Sequence, residues 1–376
     1  MKTRKIYTSI LAAVLALAAL PAAVSAQSAA DLKNVAQVEY RTLPADFENL
    51  PARETGKWNF GFRPYDAESA AYLWSDPNVI RNVAAGGDVD AKHLITGLYV
   101  TCDPHGMTIL GYAALKDHNA ALDKGSNLEN VFFECFFIPG DADNPMIINY
   151  QPFGVCSNLP NFRYKLSWMK PDRNNREMFD DLRVDARVIK NGAVVRIFVP
   201  WVIIWDHLPV FTNKKDNFWR LSMIRWGGSH GGETWGGRVH SQTKCGYIRM
   251  PDFTAAQQAE IMRTTLYSLW NKYQVARNDI ALSPTQTVSL DYYRKSIDHL
   301  PHSWMNVNED PVFRMDTLFP LVKDRDAIGK ELAKFDSMTT EQQKAFYKKI
   351  APLLANYHYD VDDLYADHLK KQMMKR

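Results

Sequence analysis

Cysteine is scarce in this chain: only Cys102, Cys135, Cys156 and Cys245 occur among 376 residues. No two of them form a C-x-x-C pair, so neither a zinc ribbon nor a thioredoxin-type motif is supported. A G-x-S-x-G nucleophile elbow is also missing, as is a glycine-rich phosphate loop between a strand and a helix. Nucleotide-binding α/β folds and serine hydrolases of the usual kind are therefore disfavoured. No pair of carboxylates is singled out by its spacing, although Glu177, Asp180, Asp181 and Glu233 are present. A standard glycosidase needs two carboxylates at a fixed separation. Beyond the N-terminal segment, no run of apolar residues is long enough to cross a membrane as a helix.

Excess charge is missing too, once the N-terminus is set aside. Lys2, Arg4 and Lys5 precede an uncharged stretch, Ile6 to Ala30, with Leu11 to Leu20 as its apolar centre and Val24-Ser25-Ala26 as a small-residue cleavage pattern. These are the parts of a secretory leader, which predicts an exported mature chain starting at Gln27. The 45 Lys and Arg residues include those three, so 42 basic residues face 42 acidic ones. A balanced chain gives no electrostatic reason to expect nucleic acid as a partner. Export and an even cysteine count predict at least one disulfide.

What the chain does have is β-patterning up to about residue 252 and helical patterning after it. His93 to Cys102, Met107 to Leu115, Val131 to Ile138, Met146 to Phe153 and Trp219 to Trp226 read as strands between turn signals. Asn191-Gly192 joins Asp185–Lys190 to Ala193–Val199 as the clearest hairpin, since Asn-Gly suits a two-residue turn. Such spacing predicts an antiparallel β-sandwich of immunoglobulin-like or jelly-roll-like type. After Pro251, Thr254 with Gln257 and Thr339 with Gln342 are capping-box signatures. Ile261, Met262, Leu266, Leu269, Trp270 and Tyr273 follow at helical spacing. Further helices are expected over about 325–335 and from about Val361, with Pro352 kinking or ending the one between them. The expected organisation is a leader over 1–26, a sandwich over 27–252 and an α-helical region over 253–376.

The most informative stretch is Phe218 to Met250. It holds Gly227, Gly228, Gly231, Gly232, Gly236 and Gly237 together with Trp226, His230, Glu233, Trp235, Arg238 and His240. Indoles stack on the C–H faces of sugar rings, and Glu, Arg and His bond to hydroxyls. Trp226, Trp235, Arg225, Glu233, Arg238 and His240 are thus candidates for a carbohydrate site. The competing reading folds the tryptophans back onto the protein. Strand alternation puts Trp219, Leu221, Met223 and Arg225 on one face, and Arg220, Ser222, Ile224 and Trp226 on the other. Glu134, flanked by Phe132 and Phe136, needs a partner, and Arg220 or Arg225 is the expected one in a structural ion pair. Asp141, Asp143 and Asn144 form either an ordinary turn or a weak calcium site.

Several of these stretches together resemble the family 9 carbohydrate-binding modules and the wider DOMON-like β-sandwiches. Val194 to Trp205 (VVRIFVPWVIIW) is similar to that family's strand leading into I-P-W-x-x-L, and Phe218 to Trp226 to its W-R-x-N-x-x-R. Trp235, His240 and Gly246-Tyr247-Ile248 follow the order of its closing motif, and Val131 to Asp141 resembles its V-E-x-F-x-D strand. Cys245 stands where that family has an aromatic, and no proline follows His240. The resemblance covers about residues 90–252. It implies non-catalytic binding of a sugar or polysaccharide end, with calcium as a possible ion. Two other classes stay open: a glycan-active enzyme with its catalytic groups in the helical part, and a DOMON-like haem or redox protein using His230 or His240.

Overall fold

A computed structural model describes residues 35–65, 73–74, 76–89, 93–114, 132–139, 153–158, 163–167, 182–211, 217–226, 232–236, 246–281 and 319–375. The leader lies outside the described residues. The first strand, β1 (Val35–Tyr40), ties two sheets together. Its first half, Val35 to Gln37, pairs in parallel with β14 (Gly246–Arg249), and its second half, Val38 to Tyr40, pairs in parallel with β5 (Thr96–Cys102). On the β5 side the order continues antiparallel through β6 (Gly106–Ala114), β11 (Gly192–Pro200) and β10 (Arg183–Ile189). On the β14 side it continues through β12 (Phe218–Trp226), β7 (Phe132–Ile138), β8 (Phe153–Asn158) and β9 (Arg163–Ser167). One edge of β12 carries β14 along Phe218 to Leu221 and then β13 (Glu233–Trp235) along Met223 to Arg225. β13 also pairs with β2 (Arg63–Pro64). A small parallel pair, β3 (Leu73–Trp74) and β4 (His93–Leu94), stands apart.

The fold is thus a β-sandwich followed by an α-helical region. Phe133, Trp219, Leu221, Met223 and Trp235 from one sheet meet Leu98, Val100, Ile109, Val195 and Ile197 from the other in one buried cluster. The sheets interlock closely at Gly111, where an added Cβ would lie 2.9 Å from the Phe133 ring. β5 and β6 are buried at every position, because the chain covers their outer face as well. Phe47, Leu50 and Trp58, with Ile80 and Val83 from the helix over Pro77–Ala84, pack there against Tyr99, Leu110, Tyr112 and Val194. That helix has a cap readable in sequence: Asp76 accepts from the backbone N–H of Asn78 (2.8 Å) and Val79 (2.9 Å), with Pro77 in the first turn.

A hairpin forms where the sequence predicts one, but its turn is Lys190-Asn191 rather than Asn191-Gly192: Gly192 is already in β11 and pairs with Ile189. Of the strand expected over Met146–Phe153, all but Phe153 lies outside the described residues; the described strand there is Phe153–Asn158. We number the helices α1 (Leu50–Arg53), α2 (Pro77–Ala84), α3 (Ala255–Ala281), α4 (Phe319–Leu332), α5 (Thr340–Ala355) and α6 (Tyr357–Met373). Both capping boxes close. Thr254 N–H donates to Gln257 (2.9 Å), and Thr339 N–H donates to Gln342 (2.9 Å). Pro352 sits inside α5, which runs on only to Ala355.

The helices extend the sandwich core. Ile261, Met262, Leu266, Leu269 and Tyr273 of α3 belong to the same buried cluster as the inner sheet faces, through the 3₁₀ segment Trp201–His207. The buried Tyr347 hydroxyl of α5 donates to the Trp205 carbonyl at 2.8 Å. Tyr40, at the end of β1, meets Phe253 edge-on at 5.8 Å, and burial with the nearby Glu260 pushes its hydroxyl up to about 12. α4 packs on α3 where Gly329 makes room for Trp270; an added Cβ would lie 2.8 Å from that indole.

Cys102 and Cys135 are buried, and neither is in a disulfide. Burial pushes the Cys102 thiol well above its ordinary value, so it is held as an inert apolar side chain. Cys245 and the side chain of Cys156 fall outside the described residues.

Candidate functional site

The far end of β12 is where exposed aromatic surface and polar groups come together. Alternation along the strand holds: Trp219, Leu221 and Met223 face the core, and Ile224 packs with Phe136 and Trp226 in a separate cluster on the outer face. Trp226, the last residue, is half-buried. Its indole N–H donates to Glu134 Oε2 at 3.0 Å. Register explains the bond. Trp226 lies opposite Phe132 and Ile224 opposite Glu134 across β12 and β7, so Trp226 and Glu134 are diagonal neighbours on one face.

A second ring completes the corner. The Tyr65 N–H donates to the Gly232 carbonyl at 2.8 Å, which continues the β2–β13 pairing by one residue. Tyr65 is 37% exposed, and its ring stands 5.1 Å from the Trp226 ring, tilted by 56°. Gly232 is needed for space: a Cβ there would come within 2.8 Å of Trp226 Cζ3.

Beneath the corner lies a buried polar knot. Arg225 and Glu233 face each other across β12 and β13. Arg225 Nε donates to Glu233 Oε2 at 3.1 Å and its Nη2 to Oε1, while Thr96 Oγ1 of β5 also donates to Oε2. The pair is 1% and 0% exposed, and Thr96 belongs to the other sheet. The knot therefore ties the two sheets together under Trp226, and its paired hydrogen bonds offset part of the cost of burying both charges, with Arg225 Nη1 buried and without a hydrogen bond.

These placements revise the expected site. Of the candidate ligand contacts, Trp226 alone presents an accessible ring among the described residues. Trp235, expected on an open loop, is fully buried in the core, because the three-residue strand β13 pairs it with Met223 and so turns it inward. Arg225 and Glu233 are brought together, but as a buried ion pair. The structural pair expected for Glu134 is replaced: Arg220 lies opposite Ile138, too far along the strand, and Glu134 accepts from Trp226 instead. Arg238 and His240, and the calcium candidates Asp141, Asp143 and Asn144, lie outside the described residues, as does His230. Tyr65 and Thr96 went unread because neither belongs to a motif. Only the non-local pairing of β2 and β5 brings them here.

Gly236 does what the glycine-rich stretch suggests. It adopts φ +88°, and a Cβ there would strike the backbone of Gly246 at 2.5 Å. Gly236 and Gly246 thus approach closely where β13 and β14 share one edge of β12. No group of three or more metal-ligating side chains occurs among the described residues, and no described helix is long and apolar enough to cross a membrane.

No protein-family profile matches this chain, and no curated protein matches it. Among solved structures, a family 9 carbohydrate-binding module from Caldicellulosiruptor kristjanssonii in complex with glucose is similar at a TM-score of 0.34 and 8% identity, covering 58% of this chain and 97% of that one. The same module in complex with cellotriose gives 0.35, 7%, 58% and 95%. The fold assignment rests on the strand pairing above, and the sugars in those two structures are ligands of those proteins.

Proposed function

We propose that this chain is an exported carbohydrate-binding protein that holds its ligand at the Trp226–Tyr65 corner without catalysing a reaction on it. The observation that carries the reading is the half-buried Trp226 indole, braced by Tyr65 and hydrogen-bonded to Glu134. An accessible ring of this size, held in one orientation beside a carboxylate, suits a ligand with both apolar C–H faces and hydroxyl donors. The sequence motifs that resemble family 9 modules point the same way, and export follows from the leader pattern over residues 1–26. Arg225 and Glu233 serve the site from below, by fixing β13 against β12.

The test is a glycan array probed with the mature chain beside Trp226→Ala. The expected result is one or more polysaccharide hits that disappear in the variant while its circular dichroism is unchanged. Hits that survive the substitution would move the site elsewhere, and an array with no hits would refute the reading.

A further inference from the structure

The chain holds one Asn-Gly step, Asn191-Gly192, and the fold uses both residues. Gly192 opens β11 with a strand on either side of it, opposite Ile189 of β10 and Ala114 of β6. A Cβ there would strike the Ala113 carbonyl oxygen at 2.3 Å, so a side chain would force the strands apart. Asn191, the second residue of the turn, is half-buried, and its Nδ2 donates to the Gly87 carbonyl. That carbonyl belongs to the loop that ends α2. Gly86 there takes φ +98°; its N–H donates to the Val83 carbonyl, and the N–H of Gly87 to that of Asn82, both at 2.9 Å. The turn also packs on this loop, since a Cβ on Gly86 would lie 3.0 Å from Lys190 Cδ. Beneath the contact, Ile80 and Val83 of α2 join the apolar cluster on the outer face of β5 and β6, with Val89 and Ile189 at its margin. The Asn191 amide is thus a tether between the end of the α2 cover and the hairpin.

Asn-Gly is also the step at which a side-chain amide is most easily lost, because glycine leaves the following main-chain nitrogen unhindered. That nitrogen, its proton taken by hydroxide, attacks Asn191 Cγ. The Cγ–Nδ2 bond breaks, and the amide group leaves as ammonia with a proton from water. Water then opens the five-membered imide at either carbonyl, which gives aspartate or the β-linked isoaspartate. In the fold both reacting groups are engaged: the Gly192 nitrogen lies within the sheet, and the Asn191 amide is bound to Gly87. Ring closure needs the turn to open first. Once it has happened, the donor is gone. An ionised carboxylate has no proton to donate, so it would face the Gly87 carbonyl as acceptor against acceptor. We propose that Asn191 is a site of spontaneous deamidation, held unreacted by the folded hairpin, and that its conversion releases the loop after α2 from the β10–β11 turn. The inference is independent of the carbohydrate reading.

The experiment ages the full chain in warm, mildly alkaline buffer, folded and in urea, and follows Asn191 by peptide mapping with mass spectrometry. The folded chain is expected to convert about ten-fold more slowly or less, because reaction waits on local opening. Equal rates would overturn the protection, and no conversion in urea would overturn the site itself. Folded protein that has converted is separated by its added negative charge and taken to hydrogen exchange beside the fresh chain and Asn191→Asp. The amides of residues 78–87 are expected to exchange about five-fold faster in both, the equivalent of one lost hydrogen bond, while those of β5 stay as in the fresh chain. Exchange over 78–87 that matches the fresh chain would overturn the release, and so would faster exchange spread evenly through β5. If Asn191→Asp does not fold, the aged protein, which folded before it reacted, gives the same reading.

Discussion

Strand β12 carries a tryptophan near each end, and the two have opposite fates. Trp219 is fully buried and meets Trp201 edge-on at 6.4 Å. Behind Trp201, the 3₁₀ segment and helices α3 and α5 continue the same apolar cluster. Trp226, seven positions on and therefore roughly 23 Å away along an extended strand, is half-buried and touches a carboxylate, a glycine and a tyrosine that is itself partly exposed. The residue type is the same and the strand is the same. What differs is the cover: at one end the C-terminal part of the chain supplies an apolar lid, and at the other the described neighbours, among them Ile224, Phe136, Glu134, Gly232 and the partly exposed Tyr65, leave Trp226 half-buried. A tryptophan becomes a candidate contact where the chain stops covering it.

The strongest way to break this comparison is to remove the lid. A chain ending at residue 252 would expose Trp201, Trp205 and the side chains that face α3, which are buried in the full protein. Such a large apolar patch should make the truncated chain aggregate or bind a hydrophobic dye. A soluble, dye-negative 27–252 fragment that keeps sugar binding would instead show that the sandwich is autonomous. The next largest effect lies under the open end. Arg225→Ala strands Glu233 without its buried partner and should cost about 3–5 kcal/mol in urea unfolding, while an apolar replacement of both partners should recover most of it. If the single variant is as stable as the parent, the knot does not pin the sheets.

Trp226→Ala sharpens the contrast. It should cost roughly 1–3 kcal/mol of binding yet only about 1 kcal/mol of stability, well below the 3–5 kcal/mol expected for Trp219→Ala or Trp235→Ala in the core. Thermal melts of the three variants, read beside calorimetry, decide it. Comparable destabilisation by all three would mean that Trp226 is core. The smallest effect is electrostatic and lies near the covered end. Arg41 donates to Glu54 at 2.6 Å, and that hydrogen bond holds the Glu54 carboxyl below its ordinary value. A depressed folded-state value means that the contribution is complete above the unfolded value of about 4.3 and is lost as pH falls through the lowered one. The pair is partly exposed, so about 0.5–1 kcal/mol is expected. Arg41→Ala should therefore lose stability at pH 7 but converge on the parent in acid; a gap that persists below pH 3 would point to packing instead.

Local chemistry explains which features were legible beforehand. The hairpin of β10 and β11, both capping boxes and the alternation of β12 depend on residues a few positions apart; the boxes and the alternation appear as read, and the hairpin turns one residue earlier than expected. The cap at Asp76-Pro77 was equally local and was overlooked among the strand signals. The site was harder. Glycines around Trp235 suggested an exposed loop, but its burial is decided by which strand the short β13 pairs with and in what register. Glu134 was expected to pair with an arginine on charge grounds. The register of β7 sets Arg220 four residues away, opposite Ile138, and gives Glu134 an indole N–H instead, while on the other edge of β12 the strand β13 places Glu233 opposite Arg225.

By itself, then, the sequence determined the class of the fold, the place where strands give way to helices, and the two faces of the strand that carries Trp226. These follow from side-chain periodicity and from turn and cap residues, which act over a few bonds. Only the tertiary structure decided which tryptophan is accessible, which carboxylate meets which donor, and that Tyr65 stands beside Trp226. Those outcomes depend on register, as of the short β13 against β12, and on pairing between distant segments, as for β2 with β13 and β5 with Glu233. They also depend on where the chain folds back over its own apolar surface, and no local pattern encodes either.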